Sequence, residues 1–116
     1  MPDTSKDFYK KLLGRSGEAR AEKYLKKQGY KLLERNYRTP YGEADLIFAF
    51  GDEIVFVEVK TRNSADFLEA KTAVNRGKQA RYRKIALYYG RGEEPNARFD
   101  VVEVYPDKLI HLPNAF

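Results

Sequence analysis

Two carboxylates, Asp45 and Glu58, and a lysine, Lys60, lie in two apolar runs joined by Gly51-Asp52. A Gly-Asp pair between runs rich in Ile, Val and Phe is the composition of a tight hairpin turn, with glycine supplying the positive φ. A turn there pairs Phe50 with Glu53, which sets Asp45 directly opposite Glu58 and Glu43 opposite Lys60. Directly opposed side chains in a sheet have Cβ atoms roughly 5 Å apart, and like charges there are destabilising. At an effective dielectric of about 20 the repulsion is about 3 kcal/mol. A bound cation removes that cost, so the pair reads as a divalent-metal site. The Val59 carbonyl, between Glu58 and Lys60, offers a further oxygen ligand.

The chain has no Cys and a single His, His111, which removes thiolate and multi-histidine metal sites, disulfides and cysteine nucleophiles together. The expected metal is therefore a hard cation held by oxygen, Mg²⁺ or Mn²⁺ more than Zn²⁺. Such an ion activates water and neutralises charge developing on phosphorus. Lys60 could orient or deprotonate that water, or equally neutralise the transition state. Glu18 either completes the metal shell or binds a second ion, unless it is a boundary residue curling out to solvent. Gln79 is placed to position the water or to hold a phosphate, with Lys78 and Arg81 nearby.

These residues need a scaffold, and its elements are legible. Residues 7–28 read as a helix with Leu13, Gly17, Ala21, Tyr24, Leu25 and Gln28 near helical spacing, stopped by Gly29. Glu18 falls in line with Ala21 and Leu25. Gly14 and Gly17 weaken such a helix by roughly 1 kcal/mol each relative to Ala, so they point to close approach by another backbone. Strands are expected over 30–38, 43–50 and 53–61, with a Pro40-Tyr41-Gly42 turn after the first. On the third strand Ile54, Phe56, Glu58 and Lys60 share one face, and Val55, Val57 and Val59 the other. Both central strands are apolar enough to need cover on both faces. Residues 63–77 are polar and irregular, with a short helical turn at 67–70. A second helix follows over 78–89, carrying Tyr82, Ile85, Ala86 and Tyr89 inward, then strands over 97–105 and 108–112. This order predicts an α/β layered fold: a central mixed sheet of about five strands flanked by helices.

At 116 residues the chain is expected to form one domain, frayed over residues 1–5. A net charge of +5 and a pI of about 9.4 suit a polyanionic partner, and equally a well-solvated surface. Arg62, Arg76, Arg81, Arg83 and Lys84 line a phosphate track or form a solvated helix face. Tyr37 and Tyr41 stack on bases, or, as the better expectation, pack in the turn and core. Asp100 is expected to make a structural hydrogen bond. His111 is expected to be a partly exposed strand residue outside catalysis. No apolar run approaches the ~20 residues of a membrane span, so the expected location is cytoplasmic.

An acid, then Glu-X-Lys on a hairpin, preceded by a helical Glu and followed by a helical Gln, resembles the restriction-endonuclease-like nucleases of the PD-(D/E)XK type. Within that superfamily the chain is most similar to the bacterial YraN-like proteins, and it also resembles archaeal Holliday junction resolvases. The YraN-like resemblance spans nearly the whole chain. It includes Gly14-Arg15-Ser16-Gly17-Glu18, Asn36-Tyr37-Arg38, Gly42-Glu43-Ala44-Asp45-Leu46-Ile47, Phe56-Val57-Glu58-Val59-Lys60-Thr61-Arg62, Lys78-Gln79 and Arg98-Phe99-Asp100-Val101-Val102. The resemblance implies the metal aspartate at Asp45, the second acid at Glu58 and the lysine at Lys60. It implies the helical glutamate at Glu18 and the glutamine at Gln79. The proline that often precedes the metal aspartate is replaced by Ala44.

The expected activity is metal-dependent hydrolysis of phosphodiester bonds in nucleic acid, DNA more than RNA, at branched or flapped structures. Lys78, Arg81, Arg62 and Arg83 are its expected nucleic-acid contacts, and a two-fold homodimer is plausible from the resolvase resemblance. The alternatives are a non-catalytic nucleic-acid-binding module that keeps the fold, and a metal-stabilised interaction protein.

Overall fold

The first helix, α1 (Ser5–Lys27), ends where its sequence says it must. Gly29 takes a φ of 96°, its N–H donates to the Lys26 carbonyl (3.1 Å), and the Tyr30 N–H donates to the Leu25 carbonyl (3.0 Å). That bond pair, with Tyr30 packed in one cluster with Leu25, closes the helix through a left-handed glycine. The computed structural model describes residues 5–62, 76–92 and 95–116, residues 5–15 by their backbone alone. The expected turn at 67–70 lies outside the described residues, as do the surroundings of Leu13 and Gly14. Gln28, expected on the buried stripe, is exposed because the helix has already ended.

Five strands follow: β1 (Lys31–Thr39), β2 (Gly42–Phe50), β3 (Glu53–Thr61), β4 (Ala97–Val104) and β5 (Leu109–Leu112), with α2 (Arg76–Tyr89) between β3 and β4. They form one sheet in chain order, β3–β4 parallel and the other pairs antiparallel. Because a parallel pair needs a crossover, α2 sits on the return path. Alternation along β3 sends Val55 and Val57 to the α1 face and Phe56 to the α2 face. On the first face Ala21 and Leu25 pack with Leu46, Phe48, Val102 and Val104; on the second Tyr82, Ile85 and Ala86 pack with Ala44, Ile47 and Phe56. Each fully buried Val, Leu, Ile or Phe contributes about 1.5–3 kcal/mol. The result is the expected layered α/β fold, helices on both faces of a mixed sheet. Among the described residues no helix is long and apolar enough to cross a membrane.

The hairpin register is the expected one from Phe50↔Glu53 to Leu46↔Val57, with Gly51 at a φ of 61°. There the β2–β3 ladder stops, one pair short of Asp45 and Glu58. Beyond it β3 stays paired to β4, through Glu58↔Val101 to Thr61↔Val104, while β2 stays paired to β1 through Arg38↔Glu43. Glu43 is therefore not set opposite Lys60; its carboxylate lies 3.6 Å from Arg38 Nε across β1. The Asp45 side chain itself occupies the gap where the two strands part.

On the α1 face, fully buried Asp100 makes the structural bonds expected of it. It accepts from the Arg98 guanidinium (2.8 and 2.9 Å) and the Asn114 N–H (2.9 Å), and His111 Nε2 lies 2.7 Å away. Burial opposes its charge, but these partners hold its carboxyl below the ordinary range. His111 is, as expected, a partly exposed strand residue. A buried carboxylate needs partners, and the ring is drawn against Asp100 and edge-on to Tyr24 and Tyr30.

Candidate functional site

Glu58 sits on a strand whose two faces are both covered, and only 8% of it is exposed. A carboxylate there must be compensated. Three donors do so. Lys78 Nζ bonds Oε1 at 2.5 Å, Lys60 Nζ lies 3.1 Å from the same oxygen, and the Tyr82 hydroxyl donates to Oε2. Burial raises the Glu58 pKa, but the Lys78 and Tyr82 bonds and the two ammonium charges outweigh it and hold the carboxyl below its ordinary value. Burial and the adjacent Lys60 push the Lys78 ammonium down despite its bond to Glu58. Lys78 and Tyr82 lie four apart on α2 and so reach from the same helix face.

Asp45 has the opposite balance. Its Oδ2 accepts the Val59 N–H at 2.8 Å, a side chain standing in for the lost ladder bond. Burial first, and then the charges of Glu58, Glu18 and Glu43, raise its pKa to about 7, with the Val59 bond working against them. Among the described residues no lysine or arginine forms an ion pair with it.

Glu18 is brought to this end of the sheet by a small residue beside it. A Cβ on Gly17 would lie 2.4 Å from Thr61 Oγ1, so a side chain there would hold α1 away from the end of β3. The close neighbour is a side chain rather than the backbone anticipated. Asn36, with its amide nitrogen facing the acids, donates to Glu18 Oε2 (3.2 Å) and Glu43 Oε1 (3.0 Å). It does so from a left-handed backbone, φ 49°, in the middle of β1. Asparagine is the side chain that tolerates that conformation best after glycine.

Four carboxylates thus gather at the splayed end of β2 and β3 in two states, Glu58 compensated by the protein and Asp45 not. Among the described residues no three His, Cys, Asp or Glu groups converge into a metal cage. Mg²⁺ does not demand one, since it binds through one or two carboxylates and keeps its waters. The donor set is all oxygen, and the raised Asp45 carboxyl is where a cation would relieve the most repulsion. Fit is better at Asp45, with Glu18 and the Val59 carbonyl as the further oxygen candidates, than at Glu58, whose oxygens already meet Lys78, Lys60 and Tyr82.

Other expected residues divide. Lys78 is not an outward phosphate contact; it is bonded to Glu58, because that buried charge is closer and stronger than any solvent partner. Gln79 is half-buried in the first turn of α2 beside Lys78 and makes no hydrogen bond to the four carboxylates. Arg62 is turned inward, its Nε 3.8 Å from buried Glu103 and without a hydrogen-bond partner, so it is not a free phosphate contact. Arg81 and Arg83 are exposed on α2, and the Arg81 side chain lies over Gly42, where an added Cβ would come within 2.8 Å of its Cδ. Tyr37 packs edge-on to Tyr89, the packing role expected of it. Tyr82 and Asn36 were not anticipated as site residues. Tyr82 reads as core from helical spacing; for Asn36 the signals are its place mid-strand among charged neighbours and in the Asn36-Tyr37-Arg38 run that carries the family resemblance.

The model of an uncharacterised protein family, UPF0102, matches residues 17–104. A UPF0102 protein of Thermodesulfovibrio yellowstonii is 45% identical over 106 residues, covering 90% of this chain and 95% of its own. Another, from Caldanaerobacter subterraneus subsp. tengcongensis, is 44% identical over 121 residues, covering 96% and 99%. A third, from Moorella thermoacetica, is 47% identical over 98 residues, covering 82% of each chain.

Proposed function

We propose that this chain, which belongs to the uncharacterised protein family UPF0102, is a Mg²⁺- or Mn²⁺-dependent nuclease that hydrolyses phosphodiester bonds in DNA. The observation that carries the reading is Asp45: a carboxylate with a pKa raised to about 7 by burial and the charges of three further acids, with no lysine or arginine among the described residues paired to it. Beyond the Val59 bond that holds it in the fold, a carboxyl pushed up by burial and like charges is the kind of group found where a cation binds or chemistry is done. The bound ion would supply a polarised phosphate and an activated water. Asp45 would hold it, with Glu18 and the Val59 carbonyl completing the oxygen set. Lys60 stands beside Glu58 and would face the charge developing on the phosphate. Glu58, itself held by Lys78 and Tyr82, lies 3.1 Å from Lys60 Nζ and favours its charged form.

Purified protein is incubated with linear, branched and flapped DNA and with RNA, in Mg²⁺ and in Mn²⁺, with Glu58→Ala as control. Cleavage of DNA by the wild type alone is the expected result. Independently of activity, either ion should raise the Tm, because a ligand bound to the folded state stabilises it. That rise should largely vanish in Asp45→Asn.

One observation favours a second reading. Glu58 is already satisfied by Lys78, Lys60 and Tyr82, as it would be in a nucleic-acid-binding module that has lost catalysis. Binding without cleavage in both metals, with a Tm indifferent to them, selects that reading.

A further inference from the structure

Among the described residues four large apolar side chains are exposed, and three of them, Tyr41, Leu87 and Tyr88, lie together where the outer face of α2 meets the β1–β2 turn. Tyr41 is 48% exposed and Tyr88 47%, although each has an aromatic neighbour. Their rings stand 6.4 Å apart at 77°, edge to face, forming a corner. Lys84 Nζ lies 5.8 Å from the Tyr41 ring centre. Beside them a groove of about 700 Å³ runs between Tyr37, Tyr88 and Arg91.

The charge that the described residues place around this corner is mostly positive. Arg81, Lys84 and Arg91 are all exposed, and among the described residues lining the adjoining grooves Glu34 is the one acid. A second copy of the chain would bring like charge against like, whereas a polyanion with flat apolar groups satisfies rings and cations together. Spacing adds direction. Lys78, Arg81, Lys84 and Tyr88 follow one another at three, three and four residues, which is one face of a helix. The stripe begins at Glu58, passes over Gly42 and ends at the tyrosine corner. Ten residues of helix span about 15 Å, the length of about four stacked nucleotides at 3.4 Å each.

Arg91 is an independent sign. It occupies the left-handed position after α2, φ 56°, where its N–H donates to the Tyr88 carbonyl and the Gly92 N–H to that of Leu87. Glycine is the residue that takes this position without strain. A guanidinium has been placed there against backbone preference, at the rim of the tyrosine groove.

We propose that this stripe is a track for about four unpaired nucleotides, bases stacking on Tyr88 and Tyr41 and phosphates on Arg81, Lys84 and Arg91, leading to the Asp45–Glu58 site. The proposal rests on the nuclease reading and names its substrate class: a strand that is single on one side of the cut.

Binding is measured by fluorescence anisotropy with the full chain in EDTA, so that cleavage plays no part. The probes are labelled oligo-dT of about 12 nucleotides and a blunt duplex of the same length. Tyr88→Ala and Tyr41→Ala should each weaken oligo-dT binding by about 5- to 100-fold and leave the duplex within about twofold, while Tyr88→Phe binds as wild type. Arg91→Gly should weaken oligo-dT binding and yet raise the Tm by a few degrees, a combination that loss of folding cannot produce. Unchanged oligo-dT binding in both alanine variants and in Arg91→Gly overturns the track. So does a concentration-dependent dimer that Tyr88→Ala dissociates without altering oligo-dT affinity. The two readings fail separately. Wild-type cleavage with tyrosine-independent binding keeps the nuclease and removes the track. Tyrosine-dependent binding by a protein that never cuts keeps the track and removes the nuclease.

Discussion

Half-buried Asp45 and buried Glu58 belong to one site, yet their surroundings drive their pKa values apart. Between about pH 4 and 7 folded Asp45 retains a proton that the unfolded chain has lost. Its contribution to stability without metal therefore falls as pH rises through that window, by a total on the order of 4 kcal/mol. Glu58 and Asp100, whose pKa values are lowered, act with the opposite sign, adding stability that is lost only on acidification below the ordinary carboxylate range. Urea titrations in EDTA at about pH 5 and about pH 8 isolate Asp45. Asp45→Asn should be more stable than wild type at the higher pH and closer to it at the lower. An equal difference at both would place the proton elsewhere. Tyr82→Phe removes a buried donor to an ionised acceptor and should cost about 1.5–3 kcal/mol by denaturant unfolding. A change under about 0.5 kcal/mol would show that Lys78 and Lys60 suffice for Glu58.

The elements matter here chiefly for how closely they approach. Alanine in a helix is ordinarily better than glycine by about 1 kcal/mol, so Gly17→Ala ought to stabilise α1. Against Thr61 it meets a hydroxyl at 2.4 Å, and either the threonine turns or the helix shifts. The expected result is no gain in the wild-type background and about 1 kcal/mol of gain with Thr61→Ala, a coupling that a double-mutant cycle reads directly. Equal effects in both backgrounds would mean that α1 and β3 are not in contact at this point. The same approach places Glu18, so Gly17→Val should also blunt the stabilisation by Mg²⁺ proposed above.

Taken whole, the molecule carries a net charge of +5, and its distribution separates binding from chemistry. Lys60→Ala should leave DNA affinity within about twofold and abolish cleavage, since one ammonium is a small part of a distributed field. Arg81→Ala and Arg83→Ala should weaken binding and each lower the slope of log affinity against log salt by about one. Arg62→Ala should leave that slope unchanged, because its charge is already answered by Glu103. A slope that responds equally to all three arginines would mean that Arg62 leaves Glu103 when DNA binds.

Local rules were enough to read the helices, the five strands, the Gly51-Asp52 turn and its register, because alternation, helical spacing and glycine conformations depend on neighbours a few residues apart. Glu58 and Lys60 could be assigned to one face of β3 for the same reason. The ends of pairing could not be read in this way. Whether β2 and β3 remain joined at Asp45 depends on competition from β1 and β4 for the same backbone groups. Nor does spacing tell that Lys78, an apparent surface cation, turns in to Glu58, or that Arg62 turns in to Glu103. A side chain's partner is set by which charge lies buried within reach, and that is known only once α2 and β4 are packed against β3.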